Sequence, residues 1–446
     1  MRIDIHDPHR FQSVFQQVAN KQLPVRITGI ATDSRECQSG DLYIALQGEQ
    51  VDGHDFIADA AQHGAALALV AHDRPYDDIP TLLVESPLKT VGLVAKAWRQ
   101  QFSIPLLAIT GSNGKTSTKD LLTHLFQPLH TVHATRGNYN TSIGLPLTLL
   151  ELRSEHTFSI VEMGANQPND ISYLCSICEP NHGLITNIVP AHLEGFGTIE
   201  QIARTKGVLF LAVADGIAFV NLTDEWVRKL PIPGEKITYG LTPECDFPAD
   251  LHTEADGTIT LTIDTHEIHT GSPNLTFAKN VIAASAVAIT LGLDWETFQR
   301  QIRSYRPTPG RCTVQQWNQI TIIDDTYNAN LTSTLAALDY LTALRGDGRR
   351  IFVFGDMFEL GKHAATYHHQ VGEKCSQLPL DAVFTVGKET VATDQAITRI
   401  PYHQHYESKD ELSQALLSFL QPEDKVLVKG SRGMAMETII QALVNS

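Results

Sequence analysis

Residues 104–126, IPLLAITGSNGKTSTKDLLTHLF, limit what this chain can become more than any other stretch. The apolar run from Ile104 to Ile109 reads as a buried strand and a helical pattern starts near Lys115, with Thr110, Gly111, Ser112, Asn113 and Gly114 between them. Strand, glycine loop and helix in this order turn successive backbone N–H groups toward one point, with the positive end of a helix behind them. A phosphate suits that place. Lys115 would reach the outer phosphate oxygens, and the Thr116 hydroxyl would complete the coordination of Mg²⁺. The general loop pattern GxxxxGK[ST] has a glycine where this chain has Ile109, so the loop here is the shorter GxxGKT. A glycine turn that only starts a helix is the competing reading; the strand before it and the GKT ending argue against it.

At 446 residues, with 42% hydrophobic side chains, the chain is long enough for two or three folded domains. Asp and Glu number 50 against 34 Lys and Arg, a formal net charge of -16 spread without an acidic tail. This argues against nucleic acid or an anionic membrane surface as a partner, and leaves any anionic substrate to be met by local positive groups. No apolar run is long enough to cross a bilayer, so membrane insertion is not expected. The six cysteines, at 37, 175, 178, 245, 312 and 375, are scattered, and MRIDIHDPHRF has neither a charged start leading into an apolar core nor a cleavage site. A reduced, cytoplasmic protein is the expectation. Cys175 and Cys178 make one CxxC, read as helix cysteines because no second pair or histidine stands at ligand spacing.

Residues 1 to about 80 mix short strands and helices around Thr32, Asp33, Ser34 and Arg35 and the segment GDLYIALQGEQVDGHDFI. A guanidinium beside hydroxyls and glycine turns at Gly48 and Gly53 suits a diphosphate or a sugar hydroxyl; a turn-rich surface explains the same residues equally well. A helix from about 88 to 101 leads into the phosphate loop. Beyond the loop, RGNYNTSIGLPLTLLEL sets Asn138, Asn140 and Thr141 in a polar turn, the strand 158–161 delivers Glu162 at its carboxyl end, and the strand 183–188 runs toward His192. Lys206 lies on a helix that begins near Thr198. Singly, such a histidine is more often structural and such a lysine solvated. If the three strands are parallel, Lys115, Glu162 and His192 share the rim where ligands of open α/β sheets gather, and a carboxylate there suits Mg²⁺. Within 245–270, TITLTIDTHEIHT alternates as an antiparallel hairpin, and NVIAASAVAITL at 280–291 reads as a packed closing helix. SYRPTPGRCTV at 304–314 breaks the helical pattern and marks a boundary. Strands and helices then alternate as in a doubly wound α/β unit, with Asp324, Asp325, Asp356, Lys429, Ser431 and Arg432 at strand ends.

ITGSNGKTSTKD, with GNYNTSIGLP, VEMGAN, NIVPAHLEGFG and the later PGR, resembles the Mur ligase family, ATP-dependent amide-forming enzymes of peptidoglycan synthesis. The likeness spans nearly the whole chain. TDSR, IDDTYNAN at 323–330, FGDMFELG at 354–361 and LVKGSRGMAME at 427–437 are most similar to members that join D-alanyl-D-alanine to a UDP-N-acetylmuramoyl-tripeptide. The resemblance implies an α/β chain of three domains: 1–83 for the UDP-sugar substrate, 84–309 a central parallel-sheet P-loop domain, and 310–446 a Rossmann-like doubly wound domain that closes over ATP and receives D-Ala-D-Ala. It also implies two Mg²⁺ ions, an acyl-phosphate route and a monomer.

By residue, the resemblance puts Gly111, Ser112, Asn113, Gly114, Lys115, Thr116, Ser117, Asn280, Arg311, Asp325 and Asn328 at the nucleotide. Thr116, Glu162, His192 and Lys206 would hold metal, and Lys115, Lys206 and His192 would take part in catalysis. Asp33, Ser34, Arg35, Asn138, Asn140, Thr141, Lys429, Ser431 and Arg432 would meet the substrates. Lys206 matches the lysine that members carry as a carbamate, an anionic ligand where an ammonium would repel Mg²⁺. Three departures from the family's pattern stand out: Gly207 and Val208 where many members have an acid, NLTFAK before Asn280 without an HN pair, and Leu331 where a proline commonly follows NAN. Folylpolyglutamate synthase and the ligase that adds the third peptide residue share the ATP machinery and are the neighbouring readings. A nucleotide-gated scaffold would have no need of Glu162, His192 and Lys206 converging on a metal.

Overall fold

The computed structural model describes every residue except 49, 50, 73, 77 and 446. Three sheets, built mostly of parallel strands, carry the chain. In the first, Arg2–Asp4 runs antiparallel to Gly29–Ala31, and Asp41–Ile44, Ala65–Val70 and Thr81–Leu83 follow in parallel. The second has nine strands. Leu106–Thr110 lies in it between Phe158–Glu162 and His182–Ile185, all three parallel, which meets the condition for a shared rim. At its far edge Phe247–Thr253, Ile259–Ile263 and His266–His269 form the expected antiparallel ribbon.

The third sheet runs in the order Thr313–Trp317, Ile320–Asp325, Lys425–Lys429, Arg350–Gly355, Ala382–Val386, Tyr402–Tyr406, and the first of these is its antiparallel strand. Both edge strands, TVQQW and YHQHY, go beyond the sequence expectation. Edge positions need no apolar run, so their polar residues gave no strand signal.

Successive residues of Leu106–Thr110 face opposite sides, and both sides are buried. Leu106 and Ala108 join a core that continues through the helix Pro87–Arg99 into Ile3, Ile30, Leu42 and Leu67 of the first sheet. Leu107 and Ile109 pack with the helices Lys115–Phe126 and Leu275–Thr290. The first two sheets therefore share a core, whereas the third has Phe352, Phe354 and Leu427 on one face and Ile351, Val353 and Val428 on the other. The helix Leu275–Thr290 starts earlier than the apolar pattern suggests because the Asn274 side chain caps it, accepting from the Phe277 N–H. Cys175 and Cys178 are buried, free helix residues. Among the described residues no helix is long and apolar enough to cross a membrane.

Candidate active site

The glycine loop is held from one side by the segment after strand His182–Ile185. The Asn187 side chain accepts from the Asn113 N–H at 3.0 Å and donates to the Asn113 carbonyl at 3.0 Å; the Thr186 hydroxyl donates to that carbonyl at 2.6 Å. Ser112 is tied the same way, its N–H to the Asn187 carbonyl and its hydroxyl to the Val189 carbonyl. The amides of Ser112 and Asn113 thus stabilise the loop and are not offered to an anion. No side chain caps the helix Lys115–Phe126, so its first-turn amides, at Lys115, Thr116 and Ser117, form the anion-facing group. Gly111 and Gly114 both have positive φ, +151° and +80°. A Cβ on Gly111 would stand 1.9 Å from the Thr186 hydroxyl, and one on Gly114 would stand 2.9 Å from Asn280 Oδ1. Asn280 therefore lies directly against the loop. Lys115 Nζ donates to the Gly111 and Ser112 carbonyls at 2.9 and 3.2 Å, and burial lowers its pKa.

Glu162, 2% exposed, ends its strand beside this loop. Its Oε1 accepts from Asn140 Nδ2 at 2.7 Å, while Oε2 is buried and has no hydrogen-bond partner among the described residues. A buried carboxylate oxygen so placed is costly unless something positive meets it. Together with the Thr116 hydroxyl it makes a hard-oxygen donor set that fits Mg²⁺. Asn140 acts here as the support of Glu162 and leaves Asn138 and Thr141 to the outer loop, where their backbone carbonyls accept from Asn140 and Leu145.

Lys206 is 2% exposed on the helix Ile199–Ala212. Burial first, and then the Lys115 charge, lower its pKa well below the ordinary lysine value, with Asp170 and Glu162 acting in the opposite sense. Its side chain forms no hydrogen bond or ion pair with another described residue. Gly207 faces the end of the Leu230 side chain, whose Cδ2 would stand 2.8 Å from a Cβ there. His192, in left-handed backbone with φ 51°, precedes the short helix Leu193–Phe196, and its Nδ1 bonds to the carboxylate of Glu359 from the third sheet. The histidine in turn lowers the Glu359 pKa.

The carboxyl edge of the third sheet faces the loop. Arg311 Nη2 donates to Thr116 Oγ1 at 2.8 Å, and its guanidinium lies 3.7 Å from the centre of the Tyr327 ring. Asn330 and Asn113 exchange amide hydrogen bonds at 2.6 and 3.3 Å. Asn330 also forms a capping box with Ser333, so Leu331 simply opens the helix Leu331–Ala343 where a proline would fit equally.

Other strand-end groups of this sheet meet partners within their own unit. Lys429, 1% exposed, forms an ion pair with Asp325 and donates to the Asn328 carbonyl at 2.9 Å. Lys429, expected at a substrate carboxylate, is here enclosed with its ammonium against the Asp325 carboxylate. Its partner Asp325 also accepts from the Cys312 N–H at 3.1 Å. Asn328 is exposed, its side chain turned back onto the Ala329 N–H. Asp356 accepts three amides, from Lys388, Glu389 and Thr390, and so anchors that turn. Ser431 is 3% exposed and accepts from the Phe358 N–H at 2.8 Å. Arg432 alone of the three at this strand end is exposed, paired with Glu437 and 5.8 Å from the Tyr327 ring centre.

In the first sheet's loops Asp33 caps a short helical turn and pairs with Arg35, whose guanidinium holds the Asp33 carboxyl down at about 2. The Arg35 side chain remains 80% exposed, and Ser34 is buried. Nearby, Asp52, His54 and His72 bring three ligand-type atoms within 4.8 Å. They do not make a metal site. His54 Nδ1 lies 2.6 Å from Asp52, and Nε2 accepts from the Ala71 N–H at 2.9 Å, so the remaining ring proton is needed to hold Asp52.

Asn187, Asp170, Tyr327, Asn330 and Glu359 were not singled out from the sequence. Tyr327, Asn330 and Glu359 sit inside recognisable motifs, but nothing local says what each meets across the cleft.

Three family models match the chain: Mur ligase family, catalytic domain, over residues 26–96; Mur ligase middle domain over 109–288; and Mur ligase, glutamate ligase domain, over 310–432. The chain is 36% identical to the UDP-N-acetylmuramoyl-tripeptide–D-alanyl-D-alanine ligase of Synechocystis sp., covering 99% of this chain and 98% of that one. To the Escherichia coli protein of the same name it is 34% identical, with 94% of each covered. Among solved structures, MurF from Acinetobacter baumannii superposes with a TM-score of 0.87 at 30% identity, covering 98% of both chains. MurF ligase from Thermotoga maritima in complex with ADP gives 0.79 at 28% identity, covering 93% of this chain and 97% of that one.

Proposed function

The chain belongs to the Mur ligase family, and from that premise we propose that it adds D-alanyl-D-alanine to UDP-N-acetylmuramoyl-tripeptide with cleavage of ATP. It is an amide-bond-forming ligase of peptidoglycan precursor synthesis, whose products are UDP-N-acetylmuramoyl-pentapeptide, ADP and phosphate. One observation carries the site reading: Arg311 of the third sheet's unit reaches the Thr116 hydroxyl of the loop, which supports a site completed only when two units meet.

The chemistry follows from the substrates. A carboxylate is a poor acyl donor because its leaving group would be an oxide. One of its oxygens therefore attacks the γ-phosphorus of ATP, ADP departs, and the mixed anhydride then loses phosphate to the incoming amine. Phosphoryl transfer needs in-line positioning and neutral surroundings for its charge more than covalent help. The first-turn amides, Lys115 and Arg311 provide positive groups there. For this Lys115 leaves the loop carbonyls and turns to the phosphates. Thr116 and Glu162 would hold Mg²⁺ and His192 a second ion, which would supply charge neutralisation to the transferring group.

Lys206 enters the proposal as a carbamate. Its burial favours the neutral amine, whose lone pair attacks CO₂ with loss of a proton. The resulting anion would satisfy a second side of the metal site, for which no acidic side chain follows at Gly207 or Val208. Arg432, exposed at the third rim, is the group available for the dipeptide carboxylate. Asp33, Ser34 and Arg35 border the UDP end, with the Asp33–Arg35 pair opening to release the guanidinium for a diphosphate. Free cysteines throughout suit a reducing compartment, and the proposal includes a cytoplasmic monomer.

Phosphate release measured with purified precursors tests the reading. Release requires UDP-N-acetylmuramoyl-tripeptide and D-Ala-D-Ala together, and Lys206→Ala removes it while ATP still binds. Equal release with single amino acids, or undiminished turnover of the variant, would overturn the assignment.

A further inference from the structure

One side chain from the third sheet reaches the metal rim without a role in the scheme above. The turn after strand Arg350–Gly355 crosses to the segment that carries His192. Glu359 accepts from His192 Nδ1–H through its carboxylate and from the Glu194 N–H, at 3.3 Å, through its carbonyl. Both partners stand in left-handed backbone, His192 at φ 51° and Glu359 at φ 60°. Such backbone at non-glycine residues is strained and persists where surroundings hold it. Gly361 follows at φ +51°, a backbone conformation that side chains rarely adopt, with the Glu194 Cα at ordinary contact distance from it.

Stability does not explain the contact. The His192 and Glu359 side chains are 27% and 50% exposed, and ion pairs at that exposure add little to stability. Geometry offers a better account. A carboxylate on Nδ1–H fixes the tautomer in which Nε2 carries the free lone pair, and fixes the ring's direction as well.

We propose that Glu359 is a positioning residue for His192: as the third sheet's unit docks, its carboxylate takes the Nδ1–H and presents Nε2 to a divalent cation. The inference rests on the reading of His192 as a metal ligand in an ATP-cleaving ligase. It adds a coupling. Because histidine and carboxylate belong to different sheets, docking strengthens ion binding at His192, and the bound ion favours docking by the same factor.

The test uses the full chain, Mn²⁺ as probe and a non-hydrolysable ATP analogue, with bound ions counted by electron paramagnetic resonance. In Glu359→Ala the second Mn²⁺ per chain binds about 10–100-fold more weakly while the first, at Thr116 and Glu162, is unchanged. Turnover falls through kcat with little change in KM for either substrate. Glu359→Gln, which keeps an acceptor oxygen without the charge, falls between the two. Metal-free melting of both variants stays at the wild-type value, as an ion pair so exposed requires, and the selective weakening of the second ion is what a merely structural contact would not produce. Retention of both ions at wild-type affinity, or equal weakening of both, overturns the proposal. If the wild-type chain releases no phosphate with both substrates but its second ion still depends on Glu359, the ligase reading fails and the positioning role stands.

Discussion

Replacing Lys429 by methionine separates two accounts of the third rim. Methionine keeps most of the stem volume and removes the ammonium. The Asp325 carboxylate, in a residue 9% exposed, then retains no cationic partner among the described residues, keeping the Cys312 N–H at 3.1 Å, and the Asn328 carbonyl loses its donor. Breaking one side of a buried pair costs about 3–5 kcal/mol, because the remaining charge is uncompensated. That is a large part of the roughly 5–15 kcal/mol that holds a domain folded. For a unit between the small and large size classes, each kcal/mol lowers Tm by about 3–4 °C, so the transition of the third sheet's unit should fall by about 10–20 °C. Differential scanning calorimetry resolves this where a single-probe melt of several cores does not. Adding Asp325→Asn to the Lys429→Met chain removes the stranded charge and recovers part of the loss. A Lys429→Met chain that melts with wild type while its KM for D-Ala-D-Ala rises would refute the argument, and would return Lys429 to the role of carboxylate receptor that the sequence suggested.

Two further outcomes follow from the central sheet. Gly111→Ala meets the Thr186 hydroxyl at 1.9 Å from a φ of +151°, so the loop must distort; equilibrium dialysis should show nucleotide affinity reduced at least tenfold, a loss of about 1.4 kcal/mol, and wild-type affinity would show the loop to be looser than described. His133, buried between the Ser159 hydroxyl and the Thr148 carbonyl, has its pKa pushed down to about 3 by burial. The unfolded chain takes up a proton near pH 6.5 that the folded chain refuses, so stability is lost as pH falls from 6.5 toward 3; denaturant titrations of His133→Leu should show a shallower decline over that window, and an identical slope would mean that His133 is protonated in the folded protein.

The strand Leu106–Thr110 and its loop were legible because burial on both faces demands an unbroken apolar run and the turn demands glycine. Glu162 was legible because it follows another such run directly. The Lys429–Asp325 pair was not: the two residues lie opposite one another in register on neighbouring strands, yet 104 positions apart in sequence, and a cation at a strand end looks the same whether it faces a ligand or a buried carboxylate. Asp356 misled for a similar reason, since the three amides that occupy it come from residues 388–390. His192 and Glu359 are 167 positions apart, and each is ordinary in its own segment. The edge strands Thr313–Trp317 and Tyr402–Tyr406 escaped detection because a ladder can be built from polar residues once a neighbouring strand supplies the partner groups.

The helix Pro87–Arg99 packs into a core that serves the first and second sheets together, while the third has its own core on each face. Substitutions along that helix are felt on two sheets at once, so the two sheets must change together. The third sheet meets the rim of the second chiefly through polar side chains such as Arg311, Asn330 and Glu359. A substitution inside either of its own two cores therefore leaves the core shared by the first two sheets in place.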